Sequence, residues 1–195
     1  YNWVHDTIKY GIRFDGDGEG HDGYVHHNIG WNCEGGIMVK GGEYDNGIGD
    51  YVGGHFVYNN TIFNSINKND IIILNEQAGK DINFGSLSIN NLAETIYGHR
   101  SDPLALADRI INLNNFTPVN VEDYLLDEPN KDFRPVNDPL IVDAGNTTYT
   151  NPDFNPTGVD ALTSDIGAME NGEIGWKAGI TWNNSNLQDE TYVNN

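Results

Sequence analysis

Hydrophobic and polar positions alternate along the first part of the chain, and the alternation recurs. Gly11-Ile12-Arg13-Phe14-Asp15-Gly16 and Gly36-Ile37-Met38-Val39-Lys40-Gly41 both read glycine, apolar, variable, apolar, charged, glycine. Period-two alternation predicts strands, with Ile12, Phe14, Ile37 and Val39 facing a core and Arg13, Asp15, Met38 and Lys40 facing out. Each hexamer follows a similar lead-in, Val4-His5-Asp6-Thr7-Ile8 and Val25-His26-His27-Asn28-Ile29, and a third lead-in opens at Val57. Placing Val4, Val25 and Val57 in one column gives steps of 21 and 32 residues, the longer one holding a Gly-rich polar insertion at 41–54. The same register sets Tyr10, Trp31 and Phe63 in an aromatic column and Thr7, Asn28 and Asn60 in a polar one.

Units of this length, with apolar alternation, Gly/Asn corners and matched columns, predict a parallel β-helix. Inward side chains stack rung on rung, and asparagines at the bends form hydrogen-bonded ladders. A leucine-rich repeat has a similar period, but its Leu-x-x-Leu-x-Leu skeleton is missing. The expected fold is all-β: a right-handed parallel β-helix (solenoid) fragment of about four coils over residues 1–116. The third coil runs from Val57 to Leu74, a weaker fourth occupies 82–96, and Leu113–Phe116 adds a partial strand. Ser101-Asp102-Pro103 offers an N-cap and a first-turn proline for a short helix near 102–110. From residue 117 the repeat fades, and 117–195 is expected to be an irregular C-terminal cap or extension packed on the helix, closed by Trp176 and Trp182.

Three elements punctuate this second part: Asp132-Phe133-Arg134-Pro135, Pro139-Leu140-Ile141-Val142-Asp143-Ala144-Gly145 and Asp165-Ile166-Gly167-Ala168-Met169-Glu170. They resemble the C-terminal end of secreted bacterial right-handed β-helix proteins, where D-F-R, P-L-I-D-A-G and D-I-G-A-x-E elements recur after the last coil. The resemblance implies an extracellular, periplasmic or cell-surface protein related to polysaccharide lyase and glycoside hydrolase β-helix families. Lyases, hydrolases and non-catalytic proteins share that ending, so it speaks for fold more than for activity. The R-x-P-x-x-R element of pectate lyases, the N-G-x-x-E element of the alginate-lyase group and the N-T-D, D-D, G-H-G and R-I-K set of polygalacturonases are all missing.

Composition narrows the partners. The 195 residues carry a formal charge of −19, which argues against nucleic acid as a partner, since that needs a basic face. One cysteine, Cys33, rules out a disulfide framework within the chain. No apolar run approaches the ~20 residues of a membrane span. The chain opens on Tyr1-Asn2-Trp3 in mid-repeat, so upstream chain or a neighbouring subunit is expected to cover the first coil.

Candidate chemistry gathers on the doubled hexamer. Strands about 4.8 Å apart set Asp15 beside Lys40, with Arg13 close by. The plain reading is an exposed cross-strand ion pair, worth ~0–1 kcal/mol. The other is the floor of a polysaccharide groove. The resemblance implies an outward β-helix face on which Lys or Arg acts beside bound Ca²⁺. β-Elimination from a uronate needs the carboxylate neutralised, a base for the C5 proton and an acid for the leaving oxygen. Arg13 is the candidate neutraliser, Lys40 the base, and His26 or His5 the acid. His27, Tyr58 and Asp15 are candidate substrate contacts. In the assumed register His5, His26 and Tyr58 share one column and Asp6, His27 and Asn59 the next; ordinary turn stacking explains them equally well. Asp15, Asp17, Glu19 and Asp22 alternate with glycines in a way that suits Ca²⁺ or a plain acidic corner. Asp15, Asp17 and Asp22 are also the rival acid and base of a glycosidase. The expected function is thus an extracellular lyase or hydrolase acting on an acidic (uronate or sulfated) glycan. The alternative is a non-catalytic glycan-binding or structural surface or filament protein.

Overall fold

The computed structural model describes residues 1–15, 23–40, 55–74, 76–77, 80–81, 86–97, 110–147 and 164–172. Coil one holds β1 (Trp3–His5) and β2 (Tyr10–Asp15). Coil two holds β3 (Tyr24–His26), β4 (Ile29–Trp31) and β5 (Gly35–Lys40), and coil three β6 (Phe56–Tyr58), β7 (Thr61–Phe63) and β8 (Ile71–Leu74). A small antiparallel pair, β9 (Glu76–Gln77) and β10 (Lys80–Asp81), precedes coil four. That coil holds β11 (Ser86–Ile89), β12 (Leu92–Ala93) and β13 (Ile96–Tyr97). β14 (Ile110–Leu113) opens one more turn, whose Phe116 bridges to Leu92. Each coil pairs in parallel with the next, giving sheet I (β1-β4-β7-β12), sheet II (β2-β5-β8-β13) and sheet III (β3-β6-β11-β14). This is a parallel β-helix. Of the expected helix near 102–110, residues 101–109 lie outside the described residues and Ile110 begins a strand.

Two kinds of corner residue turn the chain. Strands of sheet III are followed by His27, Asn59, Asn90 and Asn114, and strands of sheet I by Asp6, Asn32 and Asn64. All seven have φ between 48° and 55°. Asn, Asp and His are the non-glycine residues that tolerate this left-handed conformation best. Behind the first set comes the ladder. Asn28 Nδ2 donates to Asn60 Oδ1, Asn60 to Asn91 and Asn91 to Asn115, each at 2.9 Å. Asn2 joins at the other end, 2.9 Å from Asn28.

The ladder exposes a slip in the sequence register of coil one. Val25 does pair with Val57, but Val4 pairs with Gly30 and His5 with Trp31. Asn2 therefore takes the ladder position expected for Thr7, and His5 heads the ring column expected for Tyr10. The hexamers themselves align as expected: Ile12 on Ile37, Arg13 on Met38, Asp15 on Lys40, and then Met38 on Ile72.

The coil interior follows the alternation, but Met38, expected to face out, is also buried, in a separate cluster with Ile72, and Phe14, expected to face the core, is 37% exposed. Val25, Ile37, Val39, Val57, Ile62, Ile71, Ile73 and Ala93 form the interior of the coils. At Gly36 a Cβ would come within 2.2 Å of Ile62 Cγ2 and 2.3 Å of the Asp70 carbonyl oxygen, so only glycine lets the coils close there. A second core lies outside the coils. Ile29, Trp31, Phe63 and Leu92, the outward side of sheet I, are covered by Val121, Leu125, Phe133, Ile141, Ile166, Ala168 and Met169. The C-terminal segment thus runs along one flank of the helix, across several coils. Its antiparallel pair, β15 (Leu125–Asp127) and β16 (Asp132–Pro135), delivers Phe133 to within 5.0 Å of the Trp3 ring and 4.9 Å of Trp31. Asp132 Oδ1 accepts from Arg134 Nε at 2.8 Å, which locks the Asp-Phe-Arg element around that phenylalanine. Trp176 and Trp182 lie outside the described residues.

Candidate functional site

The sequence-predicted residues are distributed over three walls. Arg13 stands exposed on the outer side of sheet II. Asp15 and Lys40 face each other in the backbone register of that sheet, and Lys40 pairs onward with Leu74. Asp17, Glu19 and Asp22, and with them most of the expected calcium loop, lie outside the described residues, as does the 41–54 insertion. Among the described residues no three His, Cys, Asp or Glu side chains converge as metal ligands would.

His26 and Tyr58 belong to the outer side of sheet III, where their rings stack at 4.9 Å and 7°. Tyr24 and Phe56 stack beside them at 4.7 Å. His27 occupies the corner and is buried, with its Nδ1 3.0 Å from Nδ1 of His26. Burial lowers both imidazole pKa values, His26 to about 4 and His27 well below its ordinary value. At neutral pH both rings are therefore uncharged, and one nitrogen of the close pair donates while the other accepts. Burial also pushes the Tyr58 phenol up to about 12.

His5 lies on a different wall. It stacks on Trp31 at 4.4 Å, and Trp31 continues onto Phe63 at 6.4 Å, over sheet I. Its Nδ1 lies 2.7 Å from Asp6 Oδ2, a bond that holds the Asp6 carboxyl below the usual range. The expected column of His5, His26 and Tyr58 is therefore corrected: only His26 and Tyr58 share it. Arg13 on sheet II, His26 on sheet III and His5 on sheet I do not converge on one reacting centre.

What converges on Arg13 is a different set. A groove of about 250 Å³ along the edge of sheet II is lined by Lys9, Tyr10, Arg13, Glu34, Asn67 and Asn69, with Gly35 and Met38 beneath. The Tyr10 ring lies so close to Gly35 that a Cβ there would sit 2.6 Å from Cε1, so Gly35 is what lets the phenol cover the strand. Met38 is fully buried and packs with Ile72, Tyr10 and Tyr97, giving the groove an apolar floor. Glu34 Oε1 accepts from Asn67 Nδ2 at 3.1 Å. The turn that presents Asn67 and Asn69 is anchored from below. Buried Asp70 accepts from the backbone N–H of Ser65 at 3.3 Å and of Thr95 at 2.9 Å, and Asn69 O accepts from Gly36 N at 2.9 Å. Burial raises the Asp70 carboxyl, while its hydrogen bonds oppose that.

Sequence reasoning found Arg13 and missed the rest of the groove. The slipped register drew Tyr10 into the wrong column, and Asn67-Lys68-Asn69 read only as a turn. A signal was present in Glu34-Gly35-Gly36, where two glycines in succession mark a close approach of other groups to the strand. Chemically the groove offers two cations, one carboxylate, two amides and a phenol over an apolar floor. Such a set suits an anionic, polyhydroxylated ligand that has a flat apolar face. Comparisons with protein families, with curated proteins and with solved structures returned no match to this chain.

Proposed function

We propose that the protein is an extracellular carbohydrate-active β-helix protein that takes an acidic glycan, uronate or sulfated, into the groove beside Arg13. One observation carries this reading: in a chain of net charge −19, Lys9 and Arg13 line one groove together with Asn67, Asn69 and the Tyr10 ring. The cations meet the acid group, the amides meet hydroxyls, and the phenol covers a sugar face. The C-terminal elements described above support the same reading through their resemblance to lyase and hydrolase β-helix proteins.

Lysis by β-elimination is the preferred chemistry. Arg13 neutralises the uronate carboxylate, and Lys9 or Tyr10, together with Lys40 from the paired strand, are the candidates for proton transfer. Hydrolysis ranks second, because Glu34 is the single carboxylate among the described groove residues and glycosidases use two. Calcium, through Asp15, Asp17, Glu19 and Asp22, belongs to the lyase reading as a possible neutraliser of the same acid group.

The test is a panel of uronate, sulfated and neutral glycans, with and without chelator, followed by calorimetry and by assay of unsaturated products and new reducing ends. Acidic glycans are expected to bind, and Arg13→Ala or Lys9→Ala to weaken them roughly tenfold or more. Unsaturated product identifies a lyase, and new reducing ends alone identify a hydrolase. Binding without product identifies a glycan-binding surface protein. No binding to any acidic glycan refutes the proposal.

A further inference from the structure

The groove on sheet II carries charges of both signs, and their order along the strand restricts which acidic glycan fits it. This inference rests on the glycan reading above and sharpens it. Lys9 and Glu34 stand level on adjacent rungs, where Gly35 N donates to Lys9 O at 3.3 Å and Glu34 N to Thr7 O at 2.9 Å. Tyr10 follows, opposite Gly35, and Arg13 comes three residues later, opposite Met38. At a rise of about 3.3 Å per residue, Arg13 lies about 10 Å beyond Tyr10 along the strand. The groove therefore runs from a mixed end, with Lys9, Glu34, Asn67 and Asn69, across the phenol to the guanidinium of Arg13.

Glu34 sets the character of the mixed end. Its Oε1 accepts from Asn67 Nδ2 at 3.1 Å, which fixes the carboxylate against the turn and leaves Oε2 as an open acceptor. Lys9, on the exposed rim, makes no ion pair with Glu34 among the described residues. A carboxylate brought to this end meets Lys9 and Glu34 together, one attraction against one repulsion. An amide gains from both, because its N–H donates to Glu34 Oε2 and its carbonyl accepts from Lys9 or Asn69 Nδ2. The fully buried Met38 beneath keeps water from the floor, where opposed charges are screened least.

We propose that Glu34 is a specificity-determining residue that selects glycans in which an acidic unit alternates with a neutral N-acylamino sugar, and rejects polymers with a carboxylate on every unit. The acidic unit meets Arg13, the Tyr10 ring covers a sugar face, and the N-acyl group of a neighbouring unit meets Glu34 and Lys9. A polymer acidic at every unit must set one carboxylate against Glu34, and like charges so placed discriminate against a wrong partner. Attraction to the two cations alone predicts the reverse order, favouring the more densely charged polymer. The two accounts therefore separate in one comparison.

The measurement is calorimetry of the full chain, at fixed ionic strength and with chelator, against two sets of oligosaccharides of equal length. Hyaluronan fragments alternate uronate with N-acetylglucosamine, and oligogalacturonate carries a carboxylate on every unit. Wild type is expected to bind the hyaluronan fragments about tenfold or more tightly than oligogalacturonate. Glu34→Gln keeps an oxygen for Asn67 Nδ2 while removing the charge and the acceptor that faces the ligand. It should weaken hyaluronan and tighten oligogalacturonate, narrowing their ratio about tenfold, whereas a merely structural role would weaken both. Oligogalacturonate bound as tightly as hyaluronan by wild type, or an unchanged ratio in Glu34→Gln, overturns the proposal and leaves the glycan reading standing. Binding of neither set also overturns it; the glycan reading then survives if another acidic glycan binds and falls with it if none does. If Glu34→Gln does not fold, the wild-type ratio alone decides.

Discussion

Asn59 and Asn60 are neighbours with opposite assignments. Asn59, at φ 48°, turns the corner, and its Nδ2 reaches outward to the C-terminal segment. Asn60 points inward, with Nδ2 donating to Val25 O, Tyr58 O and Asn91 Oδ1 while Oδ1 receives the backbone and side-chain N–H groups of Asn28. Replacing Asn60 by alanine strands these buried partners at once, each at about 1–3 kcal/mol when unmet. Asn60→Ala should therefore lose about 3 kcal/mol or more, read as a lower urea midpoint with an unchanged slope; a loss under about 1 kcal/mol contradicts the ladder as a stabilising element. The same geometry decides the sequon Asn59-Asn60-Thr61: Asn59 is 2% exposed and its amide is fully engaged, so the folded protein offers no acceptor there. The alternation of Ile12, Ile37, Ile71 and their neighbours was legible in sequence because a strand face repeats every second residue. The inward or outward sense of a corner asparagine was not, because adjacent asparagines look alike until the φ of the first is known.

The same ambiguity operates at the scale of elements. A three-residue strand followed by a left-handed polar residue describes both Val4-His5-Asp6 on sheet I and Val25-His26-His27 on sheet III. Local chemistry cannot say which corner is which, so matching the two lead-ins displaced coil one and placed His5 over His26. The hexamers escaped this error because paired glycines and alternating apolar residues fix the register of β2 on β5 over a long contact. The lateral C-terminal segment was recognised as non-repetitive, but its position on a flank was hidden. The sign lay in sheet I itself, whose outward positions Ile29, Trp31, Phe63 and Leu92 are apolar and require a cover. Phe133→Ala removes the ring that touches Trp3, Trp31 and Phe63, and should cost about 3–5 kcal/mol. The loss belongs to the flank. Exchange should accelerate across 121–146 and 164–171 first, with β5 and β8 still protected. Simultaneous loss of protection everywhere is the contrary outcome, and it makes both cores one cooperative unit.

For the whole molecule, two buried titrating clusters pull stability in opposite directions with pH. His26 and His27 are depressed by burial, so the unfolded chain takes up protons below about 6.5 that the folded chain refuses until about 4 for His26 and lower still for His27. Stability therefore falls as pH drops through that window. Glu170 is raised to about 8 by burial and by the neighbouring Asp165 charge, so the folded chain holds a proton that the unfolded chain has released by about 4.5, and stability falls as pH rises between those values. Other groups share these windows: burial also raises Asp70, which adds to the Glu170 slope, and lowers the Tyr1 amino group from 8.0, which opposes it. The contribution of one group is therefore read as a difference between variant and wild type at fixed ionic strength. The urea midpoint of Glu170→Gln relative to wild type should rise with pH between about 4.5 and 8. His26→Phe retains a ring against Tyr58 and removes one imidazole, so it should make the acid side shallower and leave the alkaline side unchanged. A midpoint difference between Glu170→Gln and wild type that is flat from about pH 4.5 to 8 contradicts the carboxyl assignment, and an acid side unchanged in His26→Phe contradicts the buried imidazole pair. Both clusters lie at the corner between sheets III and I: His27 turns that corner in coil two, and Asn59, which turns it in coil three, donates to the Asp165 carbonyl. A pH profile of global stability therefore reports on packing at that corner, independently of any ligand in the groove on sheet II.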